Sequence, residues 1–166
     1  MMQMIHTIGY DVAHLQYLVQ NVPSIHICIN FAIDILLKVP CDKKVFAVKL
    51  ISNLATTYKL ESSLNLCQMT LTILNNVFAT MNESMRFKIF SQIIPDIFTI
   101  CEVFPVLNIA VMRLLERLLS FCSDYSTSCT KSDQSALKKR IEAAKKSILK
   151  HKHTIQHNSA PLISLQ

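Results

Sequence analysis

A single glycine, Gly9, in a chain of 166 residues removes most of the ways a polypeptide turns sharply. Tight hairpin turns need backbone at positive φ, which glycine adopts without the steric penalty of a Cβ. A meandering β architecture is therefore not expected. The same scarcity excludes the glycine-rich cradles that hold phosphates and dinucleotides, because these need several glycines close together. An all-helical fold remains. The hydrophobic content of 51% and charged content of 17% belong to a globular chain rather than a disordered one. A chain of this length buries about 70% of the surface its unfolded form exposes, which is enough for one core.

Prolines and capping residues punctuate the chain instead. Leu15, Leu18 and Val19 form a helical stripe in a first piece, Asp11 to Asn21. Pro23 then withholds a backbone donor and disfavours helix at Val22. Ser24 is the expected N-cap of a second helix, Ser24 to Val39, stopped by Pro40. Asp42 caps a third, with Val45, Val48, Ile51, Leu54 and Ala55 at helical spacing, ending near Tyr58. Glu61 or Ser62 opens a fourth, carrying Leu64, Cys67, Leu71, Leu74 and Phe78. Asn82, with Glu83 in the first turn, opens a fifth that ends before Pro95. Pro95 and Pro105 each suit the first turn of the helix that follows, the longer running from Val106 to about Cys122. A polar stretch, Ser123 to Ser132, precedes a final helix from Asp133 to about His151 and a frayed tail containing Pro161.

The second piece carries two signals. Ile25, Ile27, Ile29, Phe31, Ile33 and Ile35 alternate as a strand would, while His26, Asn30, Asp34 and Lys38 recur every four residues along one helical face. Sixteen residues is long for a strand, and no glycine turn flanks it, so helix is the expectation.

Several helices are apolar over more than one stripe, the pattern of a helix stacked between neighbours. The expected fold is an all-α, α-solenoid-like stack (armadillo- or HEAT-like) of about seven to eight helices with no sheet. Residues 1–123 form the helical-repeat stack, 124–132 a polar linker, 133–151 a basic amphipathic helix packing on the stack, and 152–166 a flexible tail. Spacing between helix starts is irregular, so no repeat is counted. An apolar first helix suggests a piece of something longer.

The six cysteines, at 28, 41, 67, 101, 122 and 129, include no CxxC pair. Cysteines embedded in helices behave as small buried hydrophobes, and no signal peptide opens the chain, so free thiols in a reducing compartment are expected. Ile97 to Leu115 is apolar enough to suggest a membrane span, yet it holds Glu102, Pro105, Asn108 and Arg113. Two buried helices broken at Pro105 account for it better.

Charge is concentrated. Residues 131–152 hold eight basic side chains against Asp133 and Glu142, a surplus that equals the whole net charge of +6. Leu137, Ile141, Ala144 and Ile148, with Leu149 beside them, form one stripe of this helix, with lysines opposite. Lys138, Lys139, Arg140, Lys145 and Lys146 are the candidate interaction surface, suited to phosphate, an acidic protein or a membrane face. A solvated outer face on a terminal helix explains the pattern equally well. Aromatic residues for base stacking are absent from it, which argues against sequence-specific nucleic-acid reading.

Other chemistry is not supported. His153 and His157 lie one helical turn apart near His151, but no cysteine or carboxylate is close in sequence, and a solvated tail is the simpler reading. Cys28 with His26 lacks a third orienting group and an oxyanion site. Glu102 and Glu116 sit on separate helices without a partner motif. No catalytic residue, metal ligand or cofactor is expected.

The strings LVQNVPSIHICINF, KVFAVKLISNLATTYKLESSLNLC and IIPDIFTICEVFPVL resemble the carboxy-terminal region of the Integrator complex subunit 2 family, over about Leu15 to Ile148. The first string is the most specific. The resemblance implies a nuclear, helical-repeat, non-catalytic member of the core scaffold of the Integrator complex. That complex associates with RNA polymerase II and cleaves nascent transcripts, including small nuclear RNA 3′ ends, through a nuclease on other subunits; it also recruits a phosphatase. The partners so implied are other Integrator subunits and, indirectly, RNA polymerase II; contact with RNA rests only on the charge of the basic helix, which supports it weakly. A nuclear-membrane label has attached to the family, while the residues here favour a soluble state. Family members are much longer, and the tail from His151 has no counterpart in the resemblance.

Overall fold

The structure, a computed structural model, describes residues 12–26, 29–38, 41–124 and 131–158. These form seven α-helices and three 3-10 turns, with no strand among the described residues. A 3-10 turn, Val12–His14, leads into α1 (Leu15–Asn21), and a second, Pro23–His26, precedes α2 (Ile29–Lys38). Then come α3 (Cys41–Thr57), α4 (Glu61–Thr80) and α5 (Glu83–Val103). A third 3-10 turn, Pro105–Leu107, leads into α6 (Asn108–Asp124), and α7 spans Lys131–Asn158. The last helix begins two residues before the expected Asp133 and runs to Asn158, past the expected end near His151 and into the stretch 152–166 read as tail. Pro40 as a helix stop, residues 125–130 of the polar stretch and residues 159–166 of that tail lie outside the described residues, as do the side chains of His26, Cys28, Cys41, Cys122, Cys129, His151, His153 and His157.

The all-helical expectation holds, and the helix signal outweighs the strand signal in the second piece. That piece is nonetheless not one helix from Ser24. Pro23 opens a tight turn closed by the Ile25 N–H donating to the Val22 carbonyl at 2.9 Å. A ring-fixed φ suits the first position of such a turn, which delivers Ile25 to the core, fully buried. Asn82 caps as expected, its Oδ1 accepting from the Met85 N–H at 3.0 Å.

The second correction concerns Pro95. No helix ends before it; α5 runs straight through. An interior proline removes one helical hydrogen bond and costs about 3 kcal/mol. Here the ring sits at the exposed surface, while Ile93, Ile94 and Ile97 around it are buried. The carbonyl that a residue 95 N–H would have served, Ser91 O, accepts instead from Arg140 Nη1 at 3.0 Å. Burial of the flanking isoleucines and a donor from a distant helix together keep the helix continuous. At Pro105 the expected break is present: α5 stops at Val103 and the chain re-enters helix at Asn108.

The helices pack in a regular order. The odd-numbered helices touch in series, α1 to α3 to α5 to α7, and the even-numbered ones do the same, α2 to α4 to α6. Consecutive contacts join α2 to α3, α3 to α4, α5 to α6 and α6 to α7. α3 lies at the centre, touching four helices, and is buried on most of its circumference through Val45, Ala47, Val48, Leu50, Ile51, Leu54 and Ala55. Its buried Lys44 donates Nζ to the Leu36 carbonyl near the end of α2, where the helix dipole favours a cation. Beyond α3, Tyr58 donates its hydroxyl to the Val19 carbonyl at 3.0 Å, tying α1 to the stack.

Among the described residues no single helix is long and apolar enough to cross a membrane; Ser84–Val103 and Pro105–Phe121 pass that test only as a pair bent by 120°.

Candidate interaction surface

The basic helix α7 lays Leu137, Ile141, Ala144 and Ile148, all buried, against α5 and α6. Their spacing of four, three and four keeps them on one stripe. Leu149 falls off its edge and is 47% exposed. The five candidate cations therefore divide. Lys138, Lys139 and Lys146 face solvent. Arg140 and Lys145 flank the apolar stripe on opposite sides. Arg140 reaches the Ser91 carbonyl of α5, and Lys145 Nζ lies 3.3 Å from Glu116 Oε1 of α6. The structure thus gathers three of the five on an outer ridge and uses two to fasten the helix to both of its neighbours. Lys139 and Lys146 are two turns apart, about 10 Å along the helix axis.

A second polar cluster escaped sequence reasoning. Phe78 of α4 is buried among Phe90, at 5.6 Å edge-to-face, and Phe121, at 5.9 Å edge-to-face. Arg86 stacks 5.1 Å from the centroids of both Phe78 and Phe121, and Arg117 lies 5.0 Å from that of Phe78. Each guanidinium is held in place: Arg86 Nε donates to the Met81 carbonyl at 2.7 Å, and Arg117 Nη1 donates to Asn75 Oδ1 at 2.7 Å. The cluster joins the α4–α5 turn to α6. Arg117 and Asn75 are 42 residues apart, so no local pattern announces the pair.

Inside the stack, Lys49 of α3 pairs with Asp96 of α5 at 3.5 Å. Burial raises the Asp96 carboxyl above its usual range, while the Lys49 charge pulls the other way. Cys67 and Cys101 are free, buried thiols, and burial pushes both up to about 12. A thiol held there is not a nucleophile at neutral pH. Among the described residues no group of three or more His, Cys, Asp or Glu is placed to hold a metal ion. The features that stand out are surfaces and fasteners.

A family model described as Integrator complex subunit 2 matches residues 1–127 of this chain. Among similar proteins, the Integrator complex subunit 2 of Mus musculus is 28% identical over 126 residues, and that of Gallus gallus 29% over the same length. Each alignment covers 75% of this chain, with 10% of the mouse protein and 11% of the chicken protein. The Integrator complex subunit 2 homolog of Dictyostelium discoideum is 31% identical over 107 residues, covering 63% of this chain and 8% of its own length. The chain thus spans about a tenth of the length of the relatives it matches. The expected resemblance reaches about Ile148, but the family match stops at residue 127, so α7 lies wholly outside it.

Proposed function

The chain belongs to the Integrator complex subunit 2 family, and from that premise we propose that it is a non-catalytic scaffold segment of the Integrator complex. The observation that carries this reading is the coincidence of the family match with the stacked helices α1 to α6. A protein named as a subunit works through its surfaces, and helices stacked in series, as in armadillo- or HEAT-like solenoids, build extended surfaces of that kind. In this reading the chain resides in the nucleus, contacts other Integrator subunits directly and RNA polymerase II indirectly, and supports small nuclear RNA 3′-end processing and transcriptional regulation. Affinity purification of the tagged chain from nuclear extract, followed by mass spectrometry, tests it. Co-recovery of Integrator subunits is the expected result. Recovery of the chain alone under mild salt refutes it.

The outer ridge of α7 favours a second reading, a helical adaptor that holds an acidic protein or RNA. Lys138, Lys139 and Lys146 face solvent together, so their replacement by glutamine abolishes such binding and reduces its salt dependence. Arg140 and Lys145 are kept intact in that variant because they hold the helix in place. Unchanged binding eliminates the adaptor.

A further inference from the structure

The helix α7 lies against α5 and α6. It meets the stack through one apolar stripe, and at its edges Arg140 reaches α5 and Lys145 reaches α6. Both edge contacts lie at the surface: Arg140 is exposed and the Glu116 side chain is 58% exposed. The walls beneath it, α5 and most of α6, lie inside the family-matched stretch 1–127, whereas α7 begins at Lys131, beyond it.

The groove also carries a mark that a particular ligand reads. Helical spacing places Phe87, Ile94 and Phe98 on the same face of α5 as Ser91, and Met112 and Leu119 on the same face of α6 as Glu116. Ile94 belongs to the core, and Phe87, Phe98, Met112 and Leu119 pack against it half-buried. At the α5 edge stands the Ser91 carbonyl, deprived of its helical donor because Pro95 has no N–H. At the α6 edge stands the Glu116 carboxylate. A helix that fits has apolar residues at positions i, i+4, i+7 and i+11. It also has an arginine at i+3 for the bare carbonyl and a cation at i+8 for the carboxylate. Leu137, Arg140, Ile141, Ala144, Lys145 and Ile148 meet that description residue by residue.

We propose that the α5–α6 groove is a docking site for a basic amphipathic helix, filled in this chain by α7, with Arg140 as the residue that recognises the carbonyl exposed by Pro95. A guanidinium supplies a strong, charge-assisted donor to an acceptor that would otherwise be underused. The recognition is specific because other interior carbonyls of a regular helix already have an N–H.

The test uses the full chain with a protease site introduced between Asp124 and Lys131. After cleavage, a labelled synthetic peptide of residues 131–158 is added, and its exchange into the body is followed by fluorescence anisotropy. The peptide is expected to enter the groove, to be displaced by unlabelled peptide, and to resist displacement by a scrambled peptide of equal charge. An Arg140→Ala peptide is expected to compete roughly tenfold less well, the weight of a hydrogen bond from a charged group. In a Pro95→Ala body the new Ala N–H takes the Ser91 carbonyl, and the Arg140→Ala difference shrinks to within about twofold. The same two substitutions and their combination, made in the uncut chain and compared by urea midpoint, give an independent reading of the coupling. Absence of exchange, equal competition by the scrambled peptide, or an Arg140→Ala penalty unaffected by Pro95→Ala overturns the proposal. None of these measurements involves another subunit, so their outcome is separate from that of the scaffold reading.

Discussion

Replacing Phe78 by leucine separates what its ring does from what its bulk does. The ring makes two edge-to-face contacts, with Phe90 and Phe121, and receives two guanidinium groups, from Arg86 and Arg117. Each aromatic pair contributes about 1 kcal/mol beyond buried area. Each cation–π contact at a site open to water contributes about 0.5 kcal/mol. Leucine keeps most of the apolar burial but none of these four contacts, so Phe78→Leu is expected to cost about 3 kcal/mol. Phe90→Leu is the control, since Phe90 is equally buried and its one ring contact shown here is with Phe78; its expected cost is about 1 kcal/mol for that contact, plus a similar repacking loss. Urea unfolding followed by circular dichroism at 222 nm measures both, with an unchanged slope showing that the same surface is exposed. If Phe78→Leu costs no more than Phe90→Leu, the arginine–phenylalanine cluster does not hold the α4–α5 turn to α6.

The ion pair inside the stack predicts a pH dependence. The folded carboxyl of Asp96 is raised by burial, so between its ordinary value and the raised one the folded state binds more protons than the unfolded state. Stability therefore falls as pH rises through that window; Asp96→Asn removes the slope, and Lys49→Met, which removes the opposing charge, extends it to higher pH, both read from urea midpoints against pH. Cys67 and Cys101, buried and held near 12, are expected to escape iodoacetamide at pH 8 in the folded chain and to react after urea unfolding, as peptide mass mapping reports; prompt labelling of the folded chain contradicts their burial. Asn82→Ala removes the cap on Met85 N–H and is expected to lower stability by about 1 kcal/mol, whereas Asn76→Ala, on the exposed face of α4, shifts the midpoint little.

Much of this architecture was legible because it is local. A helix advertises its buried face by apolar residues every three or four positions, and the stripes Leu15–Leu18–Val19, Val45–Val48–Ile51–Leu54–Ala55 and Leu137–Ile141–Ala144–Ile148 are all buried as their spacing requires. The cap at Asn82 and the break at Pro105 depend on groups within a few residues of each other. The candidate surface was legible only in part. Charge count located α7, but which cations turn inward depends on where α5 and α6 lie beneath it.

The lack of glycine, the proline positions and the apolar periods by themselves determined an all-helical chain, most of its helices and the core side of each. Tertiary structure decided that Pro95 lies within a helix rather than at the start of one. It did so because the Ser91 carbonyl finds its donor 49 residues away, in Arg140, and because burial of Ile93, Ile94 and Ile97 holds the helix through the break. Local sequence records what a backbone group lacks; only packing brings the distant side chain that supplies it.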